Sequence, residues 1–191
     1  MTTITTSDTV RNGVDTAQLF ATLDAVKAQP ELGRFQFRAS NTWIDGAHNQ
    51  ATIRGFYGAG QEDTSRAEEW VLDAGEPAIL CGTDTGPNPA EYLLAALSAC
   101  LTTSLVYVAA ARGVKLTKVE SFLEGDMDVR GALGLSSDVR NGFERIRATF
   151  HVEGDAPEEK LREVVARAQQ RSAVFDIVSN GVPVSVEAVT A

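Results

Sequence analysis

Residues 93–111 carry no charged side chain, and this run dominates what the chain can fold into. Asn88 is placed to cap a helix, and Pro89 suits the first turn, where a missing N–H costs nothing. Gly113 supplies the stop. About 20 apolar residues suffice to cross a bilayer, so the run is long enough to do so. Ser98, Thr102, Thr103 and Ser104 dilute it, several positions are only Ala, and neither a second span nor a basic cluster accompanies it. A helix apolar on every side otherwise forms the centre of a soluble core. The expectation is a central buried helix wrapped by other elements, with no membrane partner and with Cys100 near its middle.

The surrounding elements follow from periodicity and turn chemistry. Residues 1–12 are polar and Thr-rich and read as a mobile arm. Asp15-Thr16-Ala17-Gln18 has the form of a capping box, Leu19, Leu23 and Val26 follow at helical spacing, and Pro30 and Gly33 close that helix. The division expected is an N-terminal arm and helix, 1–33, and one domain, 34–191. Residues 35–43 and 50–57 read as strands joined through Asp45-Gly46 by a loop of more than two residues, and 69–73 as a third strand. Residues 114–124 form a further strand, 125–142 an irregular Gly- and Asp-rich excursion, and 143–153 the clearest strand of all. There Ile146, Ala148, Phe150 and Val152 face one way and Arg145, Arg147, Thr149, His151 and Glu153 the other, which puts His151 on a solvated face. Pro157 opens an amphipathic helix through Leu161, Val164, Val165 and Ala168. Residues 172–178 continue as a short helical piece, and 182–189 alternate as a final strand. Strands, helix, strands, helix, strand make an α+β fold with mostly antiparallel sheet.

Composition narrows the function. A net charge of −9 over 191 residues disfavours a nucleic-acid partner, because nothing offsets phosphate repulsion. The two cysteines, Cys81 and Cys100, and two histidines, His48 and His151, fit no zinc spacing, so neither metal nor cofactor is expected. The first ten residues lack the apolar and basic regions of a signal peptide, which points to the cytoplasm and reduced thiols.

Cys100 is the first candidate for chemistry. A thiol attacks only as thiolate, which requires a lowered pKa. The N-terminus of its own helix lies about three turns away, beyond the reach of the dipole. Its helical neighbours carry no positive charge, so local reading makes Cys100 an inert, buried thiol unless an Arg or Lys elsewhere activates it. Cys81, ahead of Gly82, reads as more exposed, and spacing neither requires nor forbids a disulfide to Cys100. Glu91 sits in the first helical turn, where a carboxylate is stabilised by the helix dipole. The GTDTG sequence, residues 82–86, fits no phosphate cradle, and Ser98 lacks the setting of a hydrolase nucleophile.

Residues 82–89, Gly-Thr-Asp-Thr-Gly-Pro-Asn-Pro, followed by Glu91-Tyr92-Leu93-Leu94-Ala95-Ala96-Leu97-Ser98-Ala99-Cys100, resemble the signature of the OsmC/Ohr family, with Pro89 and Cys100 at the family's spacing. The resemblance extends over residues 35–190. It implies an intertwined homodimer, with mostly antiparallel sheets around long central helices and sites at the subunit interface. It also implies a thiol peroxidase acting on organic hydroperoxides in oxidative stress defence. In such proteins the first cysteine, activated by an arginine, becomes a sulfenic acid. A second cysteine condenses with it, and an external thiol reductant restores both. Cys100 matches the attacking cysteine. The second cysteine's position reads Ser172-Ala173-Val174-Phe175, which leaves Cys81 or an outside thiol as the resolving group. The family glutamate directly after Pro89 is here Ala90, and Glu91 matches a less characterised branch. The first hairpin lacks the activating arginine at its tip, leaving Arg38 and Arg54 on the flanking strands as candidates. Against the peroxidase stands a second reading, a non-catalytic protein binding a small hydrophobic or acyl ligand at the dimer interface.

Overall fold

The computed structural model describes residues 9–190. Along the chain the elements are β1 (Val10–Arg11), β2 (Val14–Asp15), α1 (Thr16–Ala28), β3 (Ser40–Asp45), β4 (His48–Ile53), β5 (Phe56–Gly58), β6 (Gln61–Asp63), β7 (Trp70–Ala74), α2 (Pro89–Ala111), β8 (Leu116–Asp126), α3 (Val129–Ala132), β9 (Arg145–Gly154), α4 (Glu158–Gln169) and α5 (Ala173–Asn180). They group into two compact units, Asp15–Leu93 and Met1–Val14 with Leu94–Ala191. Helices with antiparallel sheets make the fold α+β, as the order of elements in the sequence implies.

In the Asp15–Leu93 unit, α1 begins as its sequence requires. The Asp15 carboxylate accepts from Ala17 N at 2.9 Å and from Gln18 N at 3.1 Å, satisfying two of the N–H groups that a helix start leaves unpaired. β3, β4 and β7 form an antiparallel sheet in that order, with Gln50 opposite both Thr42 and Asp73. The β3–β4 loop is shorter than expected. Asp45 pairs with His48, so only Gly46 and Ala47 turn the chain, and Gly46 takes the positive φ (54°) such a turn demands. The two long strands expected here are interrupted. Residues 35–39 and 54–55 fall outside the sheet, and β5 pairs instead with β6 across Ala59-Gly60, both at positive φ. Phe35, Phe37 and Phe56 stack on one another beside that hairpin, with the Arg66 guanidinium over the Phe56 ring. Aromatic packing thus replaces ladder pairing at the strand ends.

The GTDTG sequence is explained by close backbone approach. A Cβ on Gly82 would run into the Glu76 carbonyl, and one on Gly86 into the carbonyl of Asp73. Asp84 N donates to Glu76 O at 3.0 Å and Gly82 N to Pro77 O at 3.1 Å, folding the loop against the end of β7.

In the other unit, β8 and β9 pair antiparallel over their length. The alternation read from residues 143–153 holds: Phe150 and Val152 pack on the core, and His151 is exposed opposite Glu120. Arg147 on the outer face reaches both Glu124 and Asp126 of β8. The core is Leu105 and Ala109 of α2, Val114, and Val164 and Ala168 of α4. Leu161, Val164, Val165 and Ala168 therefore use the face their spacing defines. Gly113 ends α2 at φ 75°.

Three expectations require correction. α2 is not buried all round: Leu97, Leu101, Leu105 and Ala109 form one buried stripe, while Ala99, Thr103 and Tyr107 on another side are exposed. Residues 182–189 form no strand, and Val186 is 93% exposed, because no strand among the described residues offers them a ladder. The arm expected over 1–12 lies outside the described residues up to residue 8, and beyond that it is docked. Arg11 Nη1 donates to Ala110 O at 3.3 Å, and the Asn12 side chain donates to Val114 O and accepts from Leu116 N, each at 2.9 Å.

Candidate thiol site

The site is built where α2 meets the start of α5. Leu97 and Leu101 anchor α2 by burial, and the Ser98 hydroxyl lies 3.0 Å from that of Ser121 on β8. This fixes the rotation of the helix and sets Cys100, one position before Leu101, at a half-buried place. α5 is held from its own first turn: Ser172 is the N-cap, 2% exposed, and its Oγ accepts from Phe175 N at 3.2 Å. A hydroxyl has one donor and two acceptor sites. With Oγ accepting from the helix, its hydrogen remains available to the Cys100 sulfur.

Two opposing influences act on that sulfur. Burial pushes the Cys100 thiol up, and the Ser172 hydroxyl, the amides of Val174 and Ala173 and the Ser104 hydroxyl together pull it down. The donors prevail, so the thiol sits below the ordinary thiol value. The expectation that no helix dipole reaches Cys100 holds for α2 and fails for the molecule. The N-terminus of α5, brought in by the fold, presents free amides to Sγ and favours the anion. Among the groups that lower the pKa here, none is a guanidinium or an ammonium.

The remaining candidates lie in the Asp15–Leu93 unit. Cys81 is exposed, in the left-handed region at φ 64°, at the end of a short 3-10 turn over Ala78–Leu80. Glu91 closes a capping box at the start of α2. Its carboxylate accepts from Asn88 N at 2.8 Å, while Asn88 Oδ1 accepts from Ala90 N at 2.7 Å. The Asn88 amide also donates to Glu76. Arg38 and Arg54 line a shallow hollow of about 310 Å³ with Ser40, Thr52 and Glu69. Arg38 is engaged there with both Glu62 oxygens, at 2.8 and 2.6 Å.

Ser172 is the residue that reading the sequence undervalued. A Ser ahead of an amphipathic piece is a recognisable N-cap, but nothing local shows which side chain that cap will face. Among the described residues, no cluster of three or more His, Cys, Asp or Glu could hold a metal ion.

A long helix laid on an antiparallel sheet, with a thiol on the helix and a second helix capped against it, defines a class before it defines a protein. The chain belongs to the OsmC-like protein family, whose model matches residues 82–187, more than half of the sequence. An OsmC-like protein from Mycoplasma pneumoniae shares the fold at a TM-score of 0.58 and 13% identity, over 75% of this chain and 86% of that one. An organic hydroperoxide resistance protein OsmC from Legionella pneumophila gives 0.51 at 16% identity, over 76% and 90%. An OsmC-like protein of unknown function from Vibrio cholerae gives 0.52 at 14%, over 75% and 94%. No curated protein matches the sequence.

Proposed function

We propose that this protein is a thiol-dependent peroxidase that reduces organic hydroperoxides through Cys100. The single observation that carries the reading is the stabilised thiolate: hydroxyl and amide donors at Sγ outweigh burial. A sulfur merely filling space needs no such donors, which argues against the reading of Cys100 as packing in a ligand-binding scaffold. The hydroperoxide resistance named for the Legionella relative supports the same substrate class.

In the reaction, a lone pair of the Cys100 thiolate attacks the terminal oxygen of the hydroperoxide. The O–O bond breaks, and the alkoxide leaves and takes up a proton as the alcohol. Sulfur is oxidised by two electrons to a sulfenic acid, and the hydroperoxide is reduced by two. The uncharged surface of α2 around Cys100 suits an apolar organic group better than hydrogen peroxide. The reading includes a homodimer and a reducing, cytoplasmic setting.

The test is peroxide consumption by stopped flow with cumene hydroperoxide, with Cys100→Ser as control. The wild type should react at least about a hundredfold faster than a free thiol at the same pH, in line with the gains positioned groups give. A rate equal to free thiol, or unchanged by Cys100→Ser, removes the peroxidase reading.

A further inference from the structure

Cys100 is the only cysteine of the unit formed by Met1–Val14 and Leu94–Ala191. The groups that face its sulfur are two hydroxyls, Ser172 and Ser104, and two backbone amides, Ala173 and Val174. None of these can form a disulfide. The chain's other thiol, Cys81, belongs to the Asp15–Leu93 unit and is exposed. Ser172 is nearly fully buried and fixed by its cap on α5, so no rearrangement of that corner presents another sulfur.

We infer that this protein runs a one-thiol cycle, in which the Cys100 sulfenic acid is resolved by a small external thiol entering at the half-exposed sulfur, with Ser172 occupying the place a resolving sulfur would need. The inference rests on the peroxidase reading and deepens it by naming the reductant class. The sulfur of the external thiol attacks Sγ. The S–O bond breaks and the oxygen leaves as water, giving a mixed disulfide. A second thiol then attacks the outer sulfur, releases the small disulfide and restores the Cys100 thiol. Overall one hydroperoxide and two thiols give one alcohol, one disulfide and one water. Half-exposure of Cys100 meets the access requirement of thiol exchange. The uncharged neighbourhood of residues 93–111 sets no electrostatic barrier to a neutral thiol such as β-mercaptoethanol.

The experiment treats the reduced full-length protein with one equivalent of cumene hydroperoxide, then splits it for dimedone trapping, non-reducing mass analysis and addition of β-mercaptoethanol. The expected result is a dimedone adduct on Cys100, no protein disulfide, and a mixed disulfide at Cys100 after the thiol is added. Cys81→Ser should then turn over within about twofold of wild type, the usual scatter of a surface change. A Cys81–Cys100 disulfide within or between chains, or a turnover loss of about tenfold or more in Cys81→Ser, overturns the one-thiol cycle and leaves the peroxidase reading standing. Hydroperoxide left unconsumed, with no oxygen on Cys100, overturns both. A second variant tests the geometry directly: S172C should form a disulfide between the introduced thiol and Cys100 on oxidation. Its failure to do so, in a variant that unfolds like the wild type, overturns the placement of Ser172.

Discussion

The Ser172 hydroxyl serves two partners at once: it caps α5 by accepting from Phe175 N at 3.2 Å, and it stabilises the thiolate of Cys100 on α2. One side chain thereby ties the start of a helix to the ionisation of a thiol. Ser172→Ala removes both interactions. The midpoint of iodoacetamide alkylation should move to higher pH, and the rate at neutral pH should fall by about tenfold, the scale of one lost hydrogen bond to a charged group. The cap should cost about 1 kcal/mol of stability in urea. Ser172→Thr keeps a hydroxyl and should restore most of the alkylation rate, which a purely structural role does not require.

The same ionisation has a signature in stability. The folded-state pKa of Cys100 lies below its ordinary value. A lowered pKa stabilises the fold above the unfolded pKa, about 8.5 for a free thiol, and that contribution is lost as pH falls through the folded value. The melting temperature of wild type relative to Cys100→Ser should therefore rise between neutral and mildly alkaline pH. A difference that is flat over that range contradicts the thiolate.

Asp73 on β7 offers an acid-side counterpart. His48 Nε2 lies 2.8 Å from its Oδ1, and the Gln50 amide donates to the same oxygen at 3.2 Å. These contacts, His48 first and Gln50 second, hold the Asp73 carboxyl below its ordinary value. Their contribution is present above the unfolded carboxyl pKa, about 3.9, and is lost as pH falls through the lower folded value. His48→Ala should lower the melting temperature at pH 6 and converge with wild type below about pH 3, where the carboxyl is protonated in both. Thermal unfolding by circular dichroism across that range checks it.

What the sequence reveals divides along the range of the physics involved. The bounds of α2, the alternation in β9 and the core face of α4 are legible because each depends on spacing within one segment: Asn88 to Gly113, Ile146 to Val152, Leu161 to Ala168. The strand ends near Phe35 and Phe56 are misread because aromatic stacking between them, a contact across the hairpin, overrides strand propensity. The thiol site is legible only in half. Cys100 stands out as the one sulfur in an uncharged helix. The amides that ionise it belong to a helix that folding alone brings to it, so local reading assigns activation to a distant cation.

Glu91 tests whether a carboxylate near the family motif is structural. It accepts from Asn88 N at 2.8 Å at the very start of α2. Glu91→Ala should cost about 1 kcal/mol in urea unfolding, the scale of a lost cap, while Glu91→Gln, which completes the same box, should cost less than half of that. Equal losses in the two variants exclude the capping account.

The exposed side of α2 and residues 182–189 raise the same question, namely what covers them. Ala99 and Thr103 are small, uncharged and exposed, Tyr107 beside them is 48% exposed, and Val184 and Val186 alternate with polar residues at 80% and 93% exposure. Small residues allow close helix approach, and an alternating segment without a ladder carries unpaired backbone groups that a second chain can satisfy. The homodimer of the proposed reading accounts for both, with a second α2 against the first and residues 182–189 added to a sheet of the partner. Ala99→Glu places a charge in the centre of that contact. Burying it unpaired costs on the order of 3 kcal/mol, so dimer dissociation should strengthen by about a hundredfold. Val186→Pro removes a ladder donor and should weaken the dimer by a smaller factor. Light scattering behind size exclusion at micromolar protein should show wild type at twice the chain mass and Ala99→Glu at the chain mass. A dimeric Ala99→Glu moves the interface elsewhere on the molecule.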